Sequence, residues 1–197
     1  PVRRITRFDE LPIPFRAVAT DMETGAAVEL SEGDLAVALR SSMSVPGVFA
    51  PIEFGHQVLG DGGLVNNLPV DIARRMGADI VIAVNVGTPL AGREALGSVV
   101  GLTAQMINIL TEQNVQRSLA SLGPQDLLLT PRLGRLSSAD FDRAPELIAL
   151  GTDYARTQGE GLARFAVDEA RFRAWQAQRA QRARPTGPPA RLAFVQI

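Results

Sequence analysis

The beginning of the chain alternates between short apolar runs and turn residues. Residues 15–20 (Phe-Arg-Ala-Val-Ala-Thr) predict a strand, the polar residues after them predict a turn, and residues 26–30 predict a returning strand that completes a hairpin. Residues 31–40, in which Ser-Glu-Gly-Asp precedes an apolar run, predict a capped helix. We expect that helix to end near Ser44, because Pro46 disfavours helical geometry at the residue before it.

The middle of the chain has the pattern of an α/β protein. A short hairpin is predicted at residues 52–59 around Gly55-His56, and a helix is predicted at residues 70–77. Residues 79–86 form a nearly continuous apolar run, which is typical of a strand buried on both faces of a parallel sheet. A helix followed by a buried strand predicts the α/β class.

The rest of the chain is mainly helical. Helices are predicted at residues 97–120, 138–164 (interrupted near Pro145 or Gly159–Gly161) and 168–183, and a buried strand is predicted at residues 126–130. Residues 185–189 predict a stiff Pro-rich linker, and residues 191–197 alternate like the first strand of a further domain.

The amino-acid composition excludes several kinds of catalytic and metal site. The chain of 197 residues has a net charge of −1, which gives no electrostatic bias towards nucleic acid. The absence of cysteine excludes disulfides, thiolate catalysis and Cys-ligated zinc, and the single histidine, His56, cannot build a multi-histidine metal site. We therefore predict no metal, no other cofactor and no nucleic-acid partner.

The most informative stretch joins two motifs. Ser-Met-Ser-Val-Pro-Gly-Val-Phe-Ala-Pro at residues 42–51 is followed ten residues later by Asp-Gly-Gly-Leu-Val-Asn-Asn-Leu-Pro at residues 61–69. This joint pattern resembles the second signature region of the patatin-like phospholipase family. The resemblance implies an α/β three-layer sandwich with a largely parallel central sheet, of which this chain holds the C-terminal part at residues 1–155. A helical extension is expected at residues 156–184, and a linker with the start of a following domain at residues 185–197.

The resemblance also implies a catalytic mechanism. The family uses a Ser/Asp dyad, and its aspartate matches Asp61, with Gly62 and Gly63 shaping the loop against the substrate. No serine of the chain has glycine at both the −2 and +2 positions, and no glycine-rich run suits an oxyanion hole. We expect these parts in a missing N-terminal segment of the same domain, which would leave this chain inactive by itself.

The proposed role of Asp61 can be argued from chemistry alone. A serine hydroxyl becomes a useful nucleophile only when a base accepts its proton. A free aspartate, with a pKa of about 3.9, is a weak base, but partial burial would raise that pKa towards neutrality. The alternative interpretation is that Asp-Gly forms an ordinary turn between a strand and a helix.

Other polar residues have structural interpretations. We expect His56 to lie exposed in a turn, Asp21 to be a turn residue, and Asp71 to be an acid in the first turn of a helix. Asn66 and Asn67 are predicted to close the loop and cap a helix.

Two helices have alternative interpretations. The apolar positions of residues 97–120 predict packing on the sheet, and a dimer face or a membrane-docking surface is the alternative. The arginine-rich helix at residues 168–183, which carries Trp175, predicts a solvated helix, with contact to anionic lipid head groups as the alternative.

These observations predict a lipid acyl hydrolase of the phospholipase A type, acting on phospholipids or other acyl esters at a membrane surface. The alternatives are a non-catalytic module that binds lipid or protein, and an inactive fragment that lacks the nucleophile. The linker and last strand resemble the entry to a transport-associated module, which in some bacterial patatin-like proteins precedes an outer-membrane β-barrel. That resemblance favours the bacterial envelope or the exterior as the location, with the cytoplasm as the alternative.

Overall fold

A four-stranded antiparallel sheet forms the first part of the protein. The computed structural model describes residues 6–88, 90–134, 136 and 140–183. The strand order is β2-β1-β4-β3, and a separate two-stranded sheet pairs β5 with β6. The strands in these residues are β1 (Ala17–Asp21), β2 (Ala27–Leu30), β3 (Ile52–Phe54), β4 (Gln57–Asp61), β5 (Ile82–Val84) and β6 (Leu127–Leu129).

The predicted central sheet was expected to be largely parallel, and this prediction is wrong: the four-stranded sheet is antiparallel. Both predicted hairpins are present, and their short connections require antiparallel neighbours, because parallel strands need a long crossover. The turns contain Gly25 and Gly55, whose φ angles of 71° and 64° suit glycine. The central pair, β1 with β4, is also antiparallel and places Ala19 opposite Asp61. The mixed α/β class is confirmed.

Among the described residues, parallel pairing occurs in the second sheet, where Ile82 pairs with Leu127 and Val84 with Leu129. The predicted buried strand at residues 79–86 is shorter than expected. It is buried on one face only: Ala83 lies in a hydrophobic cluster, whereas Ile82 and Val84 are exposed. The predicted burial on both faces is therefore wrong for the described residues, since Ile82 and Val84 are 45% and 49% exposed.

The helices mostly follow the predicted pattern. Asp34 caps the first helix by accepting hydrogen bonds from two backbone N–H groups, as expected for a polar residue before an apolar run. The single-turn helix after Asp61 was not predicted. The helices in the described residues are α1 (Leu35–Ser42), α2 (Gly63–Asn66), α3 (Val70–Arg75), α4 (Val99–Ala120), α5 (Ala144–Thr157), α6 (Gly159–Ala163) and α7 (Glu169–Ala183), with 3₁₀ turns at Phe8–Glu10, Arg93–Gly97 and Phe141–Arg143.

Two hydrophobic clusters form the core, and the Asp-Gly-Gly loop connects them. The first cluster contains Leu59 of β4, together with residues of β1, β2 and α1. The second contains Leu68 and Val70, just after the loop, packed with Val81, Ala83 and Val115. The loop is therefore fixed at both ends by buried side chains, which limits how far Asp61 can move.

The long helix α4 packs mainly through its C-terminal half. Asn114 and Val115 are its buried residues, whereas Val99 and Val100 are 82% and 80% exposed. The predicted packing of residues 97–120 on the sheet therefore holds only for the last turns. The predicted linker and final strand at residues 185–197 lie outside the described residues.

Candidate active site

Asp61 is the last residue of β4, and its backbone is held from two sides. The Asp61 N–H donates to the Ser44 carbonyl at 3.1 Å, and the Gly62 N–H donates to the Ser42 carbonyl at 3.3 Å. On the β1 side, the Thr20 hydroxyl donates to the Asp61 carbonyl at 2.6 Å. These contacts join the two sequence motifs, residues 42–51 and 61–69, by backbone hydrogen bonds. The spacing of the motifs in the sequence did not specify these hydrogen bonds.

The Asp61 carboxylate is partly buried and has few hydrogen-bond donors. Within the described residues, its one hydrogen bond comes from the Gly63 N–H, at 2.7 Å to Oδ1. Burial raises the pKa of Asp61 above its usual value, and the Gly63 hydrogen bond opposes that rise only in part. A carboxylate with a raised pKa and a free oxygen is a better proton acceptor near neutral pH than a solvated one.

Gly62 and Gly63 are required because there is no room for a side chain at either position, and not because their backbone angles are unusual. Gly62 has ordinary helical angles, but a Cβ there would overlap the Val18 carbonyl oxygen. A Cβ on Gly63 would lie 2.8 Å from Asp61 Oδ1 and 2.8 Å from Asn67 Oδ1. A side chain at either position would therefore push the loop away from β1 or displace the Asp61 carboxylate.

A buried amide on α4 anchors the other side of the loop. Asn114 is 3% exposed, and its Nδ2 donates to the Gly63 carbonyl at 2.9 Å and to the Leu110 carbonyl at 3.1 Å. Its Oδ1 accepts from the Asn67 N–H at 2.8 Å, and the Thr111 hydroxyl donates to the same Gly63 carbonyl at 3.2 Å. We call Asn114 and Thr111 the α4 clamp.

The sequence prediction missed the α4 clamp. Thr111 and Asn114 form a polar pair at i, i+3 spacing on one helix face, but several other polar residues of the same helix surround them, so the sequence does not single them out. The fully paired hydrogen-bonding groups of Asn114 explain why an amide is stable at a buried position.

An arginine holds the Pro-containing loop that contacts Asp61. Arg40 donates to the Ser44 hydroxyl at 2.6 Å and to the Ala50 carbonyl at 3.2 Å. Its guanidinium carbon lies 4.7 Å from the centre of the Phe49 ring. Arg40 therefore ties both ends of residues 44–50 together, and through Ser44 it fixes the acceptor of the Asp61 N–H.

The remaining candidate residues have the structural roles that were predicted for them. His56 lies exposed in the turn between β3 and β4. Asp21 is buried and accepts turn N–H groups from Glu23 and Thr24, and these hydrogen bonds lower its pKa. Asp71, in the first turn of α3, pairs with Arg75 at 2.8 Å.

The loop asparagines divide their contacts between α3 and α4. The Asn66 side chain donates to Asp71 at 2.8 Å, so it closes the connection from α2 to α3 as predicted. The predicted cap is wrong, because α3 begins after Pro69 and no asparagine side chain caps it. Asn67 uses its backbone N–H on the α4 clamp. Neither asparagine contacts the Asp61 carboxylate among the hydrogen bonds of the described residues.

The parts of the chain that the structure describes contain no seryl hydroxyl bonded to the Asp61 carboxylate. Ser41 and Ser44 donate instead to the Val37 and Arg40 carbonyls. The same residues contain no cluster of three or more His, Cys, Asp or Glu side chains that could hold a metal. A cavity of about 250 Å³ lies beside α2 and α4, and Asp61 is not among its lining residues.

Comparison with known proteins supports the family. The model of a family described as patatin-like phospholipase matches residues 4–74, which include Asp61 and its loop. An uncharacterized NTE family protein of Mycobacterium tuberculosis (strain ATCC 25618 / H37Rv) is 39% identical over 100 residues, or 51% of this chain. Patatin-like phospholipase domain-containing protein 7 of Mus musculus is 30% identical over an alignment of 176 residues that covers 77% of this chain. These matches support the patatin-like phospholipase family that residues 42–69 predict.

The relatives are much longer than the matched parts. The match spans 28% of the mycobacterial protein and 13% of the mouse protein. Every helix in the described parts of the chain is too short or too polar to span a lipid bilayer.

Proposed function

We propose that this chain supplies the general base of a lipid acyl hydrolase, and that the base is Asp61. The observation that carries the proposal is a partly buried carboxylate that receives one hydrogen bond within the described residues and is held in a Gly-Gly loop by contacts from α1, β1 and α4. Burial also raises the pKa of this carboxylate. The match to the patatin-like phospholipase family supports an acyl ester of a lipid as the substrate.

In the proposed mechanism, Asp61 accepts the proton of a serine hydroxyl while the serine oxygen attacks the acyl carbonyl carbon. Collapse of the tetrahedral intermediate breaks the ester bond, and Asp61 returns the proton to the leaving alcohol. A water molecule then repeats the sequence on the acyl-enzyme and releases the fatty acid. The serine and the oxyanion-hole glycines are proposed to come from protein outside these 197 residues, so the chain alone would be inactive.

We further propose that the α4 clamp positions the base. Asn114 and Thr111 both donate to the Gly63 carbonyl, and the Gly63 N–H in turn donates to Asp61 Oδ1. When Gly63 is fixed, its N–H stays on Oδ1 of Asp61. The other oxygen of the Asp61 carboxylate is then available to accept the serine proton. The clamp therefore acts through Gly63, without touching the reacting atoms.

The proposed domain organisation keeps residues 1–155 as the C-terminal part of a hydrolase domain, residues 156–184 as a helical extension, and residues 185–197 as a linker and domain start. Exposed apolar side chains of β5 and β6, at Ile82, Val84 and Leu128, support a further segment of the same domain that packs on this face. With that segment the three-layer sandwich would be complete. The envelope or secreted location remains a prediction, because it rests on residues outside the described ranges.

The test uses the intact protein and a fluorogenic phospholipid. We expect Asp61→Asn to lower kcat/KM by about 10³-fold or more, since the amide cannot accept the proton. The matched control is Asp153→Asn, which removes an exposed carboxylate paired with Arg156 and should leave kcat/KM unchanged. Full activity of the folded Asp61 variant would remove Asp61 from the mechanism. A wild-type protein that binds vesicles without hydrolysing lipid would support the alternative, a non-catalytic lipid-binding module.

A further inference from the structure

The last described helix, α7, exposes aromatic side chains and arginines on one face. Phe172, Trp175, Arg179 and Arg182 follow one another at spacings of three, four and three residues, which places them along a single side of the helix. Phe172 is 43% exposed and Trp175 is 46% exposed. We call these four residues the α7 face.

The side chains of the α7 face are already ordered with respect to one another. The rings of Phe172 and Trp175 stack with centroids 6.0 Å apart and an interplanar angle of 21°. The Arg179 guanidinium carbon lies 5.3 Å from the centre of the Trp175 ring. The aromatic rings and the cation therefore form one continuous patch rather than three separate side chains.

The charges on this face have no acidic partners within the described residues. The ion pair on α7 joins Arg173 to Glu169 at 2.9 Å, and Glu169 lies in the first turn of the helix, away from Arg179 and Arg182. Arg179 and Arg182 belong to no ion pair of the described residues, and no acidic residue follows Glu169 in α7. A helix that only needed solubility would gain nothing from two exposed stacked rings. The patch is instead complementary to an anionic surface.

We propose that the α7 face docks on an anionic lipid bilayer. Tryptophan is favoured at the level of lipid head groups, and arginine binds phosphate through two parallel hydrogen bonds. A basic helix of this kind gains affinity from each arginine near a negatively charged membrane. The choice of lipid over nucleic acid rests on the proposed function, and the net charge of −1 of the chain also disfavours nucleic acid.

Docking through α7 would place the proposed hydrolase domain at the surface that holds its substrate. The helix would lie in the interface rather than cross it, which agrees with its polar composition. Binding should weaken as ionic strength rises, because salt screens the attraction between arginines and lipid phosphates.

The experiment compares two double variants of the intact protein that remove the same charge. Arg179→Gln/Arg182→Gln removes the unpaired arginines of the α7 face. Arg156→Gln/Arg173→Gln removes two arginines that are not part of the α7 face and that are each paired with an acidic side chain. Binding is measured by co-sedimentation with vesicles of phosphatidylcholine, with and without phosphatidylglycerol. Trp175→Ala tests the aromatic part.

We expect the wild type to bind the vesicles that contain phosphatidylglycerol and not those of phosphatidylcholine alone. The Arg179/Arg182 variant should bind about tenfold more weakly, since each arginine contributes severalfold, and the Arg156/Arg173 variant should bind like the wild type. Trp175→Ala should also weaken binding. Equal binding of the two double variants, or equal binding to both kinds of vesicle, would overturn the proposal. So would binding to an oligonucleotide in preference to vesicles.

A second readout separates this proposal from the proposed function. Hydrolysis of a short-chain, water-soluble ester should be the same in all these variants, because α7 does not contact the Asp61 loop. If the wild type hydrolyses no ester, the proposed function fails, whereas the vesicle measurements still decide the role of the α7 face.

Discussion

Two aspartates stand next to strand ends in this protein, and their surroundings are opposite. Asp61 ends β4 and receives one hydrogen bond on its carboxylate within the described residues, from Gly63. Asp126 precedes β6 and receives hydrogen bonds from the Gly123 N–H at 2.7 Å, the Val81 N–H at 2.8 Å and Arg74 at 2.5 Å. Burial raises the pKa of Asp61, whereas the hydrogen bonds from Gly123, Val81 and then Arg74 lower the pKa of Asp126.

The comparison shows that hydrogen-bond donors, more than burial, distinguish the carboxylate with a lowered pKa from the one with a raised pKa. The Asp126 side chain is only 1% exposed, yet its charged form is the favoured one because donors surround both oxygens. It connects α3 to the starts of β5 and β6, and its backbone carbonyl also accepts from Arg164 at 2.5 Å. Asp61 has one oxygen without a hydrogen bond from the described residues, and a carboxylate in this state is able to accept a proton.

The largest stability effect should come from breaking the Asp126 cluster. Asp126→Asn places an NH₂ group against N–H donors and leaves Arg74 without its carboxylate, so we expect a clear fall in Tm at pH 7. Because the folded pKa is lowered, the stabilisation is complete above the ordinary Asp pKa of about 3.9 and is lost as the pH falls through the folded value. The Tm difference between wild type and variant should therefore shrink in acid.

The change in Tm expected for a substitution at Asp61 has the opposite sign to that expected at Asp126. Its folded pKa is raised, so its charged form opposes folding near neutral pH, and Asp61→Asn should leave Tm unchanged or increase it. Thermal unfolding of the Asp61→Asn and Asp126→Asn variants from pH 3 to 8 would test both predicted changes in Tm. A fall in Tm for Asp61→Asn as large as that for Asp126→Asn would contradict the distinction.

A smaller loss of stability is expected when a side chain is added at Gly62, where there is no room for a Cβ. Gly62→Ala forces a Cβ against the Val18 carbonyl oxygen, and we expect a loss of about 2–3 kcal/mol in the free energy of unfolding, together with reduced activity. Gly151→Ala is the matched control, because Gly151 lies inside α5 and a Cβ added there would meet no atom within 4 Å. That control should stabilise the protein by up to about 1 kcal/mol. Denaturant unfolding measures both, and an equal response would show that the tight contact at Gly62 is unimportant.

The smallest effects test the α4 clamp. Asn114→Asp keeps the acceptor for Asn67 but loses the donor to Gly63, and we expect about a tenfold fall in kcat/KM of the intact protein. Thr111→Val removes one hydrogen bond to the same carbonyl and should cost about two- to fivefold. Thr103→Val removes a comparable hydroxyl on α4 that bonds only to Val99, so its activity should not change. Equal activity of the Thr111 and Thr103 variants would exclude positioning by Thr111.

Much of the local structure could be predicted from the sequence. Both hairpins and α3 follow from turn residues and apolar spacing, and α1 also follows from its Asp34 cap; these signals all act over a few residues. The Asp61 loop was identifiable because two motifs at a fixed spacing define it. The helix boundaries differ from the predicted ones by a few residues, since the ends of α1 and α3 depend on contacts with neighbouring elements.

The long-range features could not be predicted, because their partners are far apart in the chain. Asn114 and Gly63 are separated by 51 positions, and Arg74 and Asp126 by 52. The antiparallel pairing of β1 with β4 joins two hairpins across the sheet, and an apolar run alone does not specify strand direction. The apolar run at residues 79–86 likewise predicted burial on both faces, whereas only the face with Ala83 is covered by described residues.

The most direct test of the catalytic role of Asp61 is the pH dependence of kcat/KM for the intact protein on a soluble ester. If Asp61 is the base and burial raises its pKa, the rate should fall on the acid side with a midpoint above the ordinary aspartate value of about 3.9. The residual activity of Asp61→Asn should lack this acid limb. A midpoint at or below the ordinary value, or the same acid limb in the Asp61 variant, would contradict the assignment of Asp61 as the catalytic base.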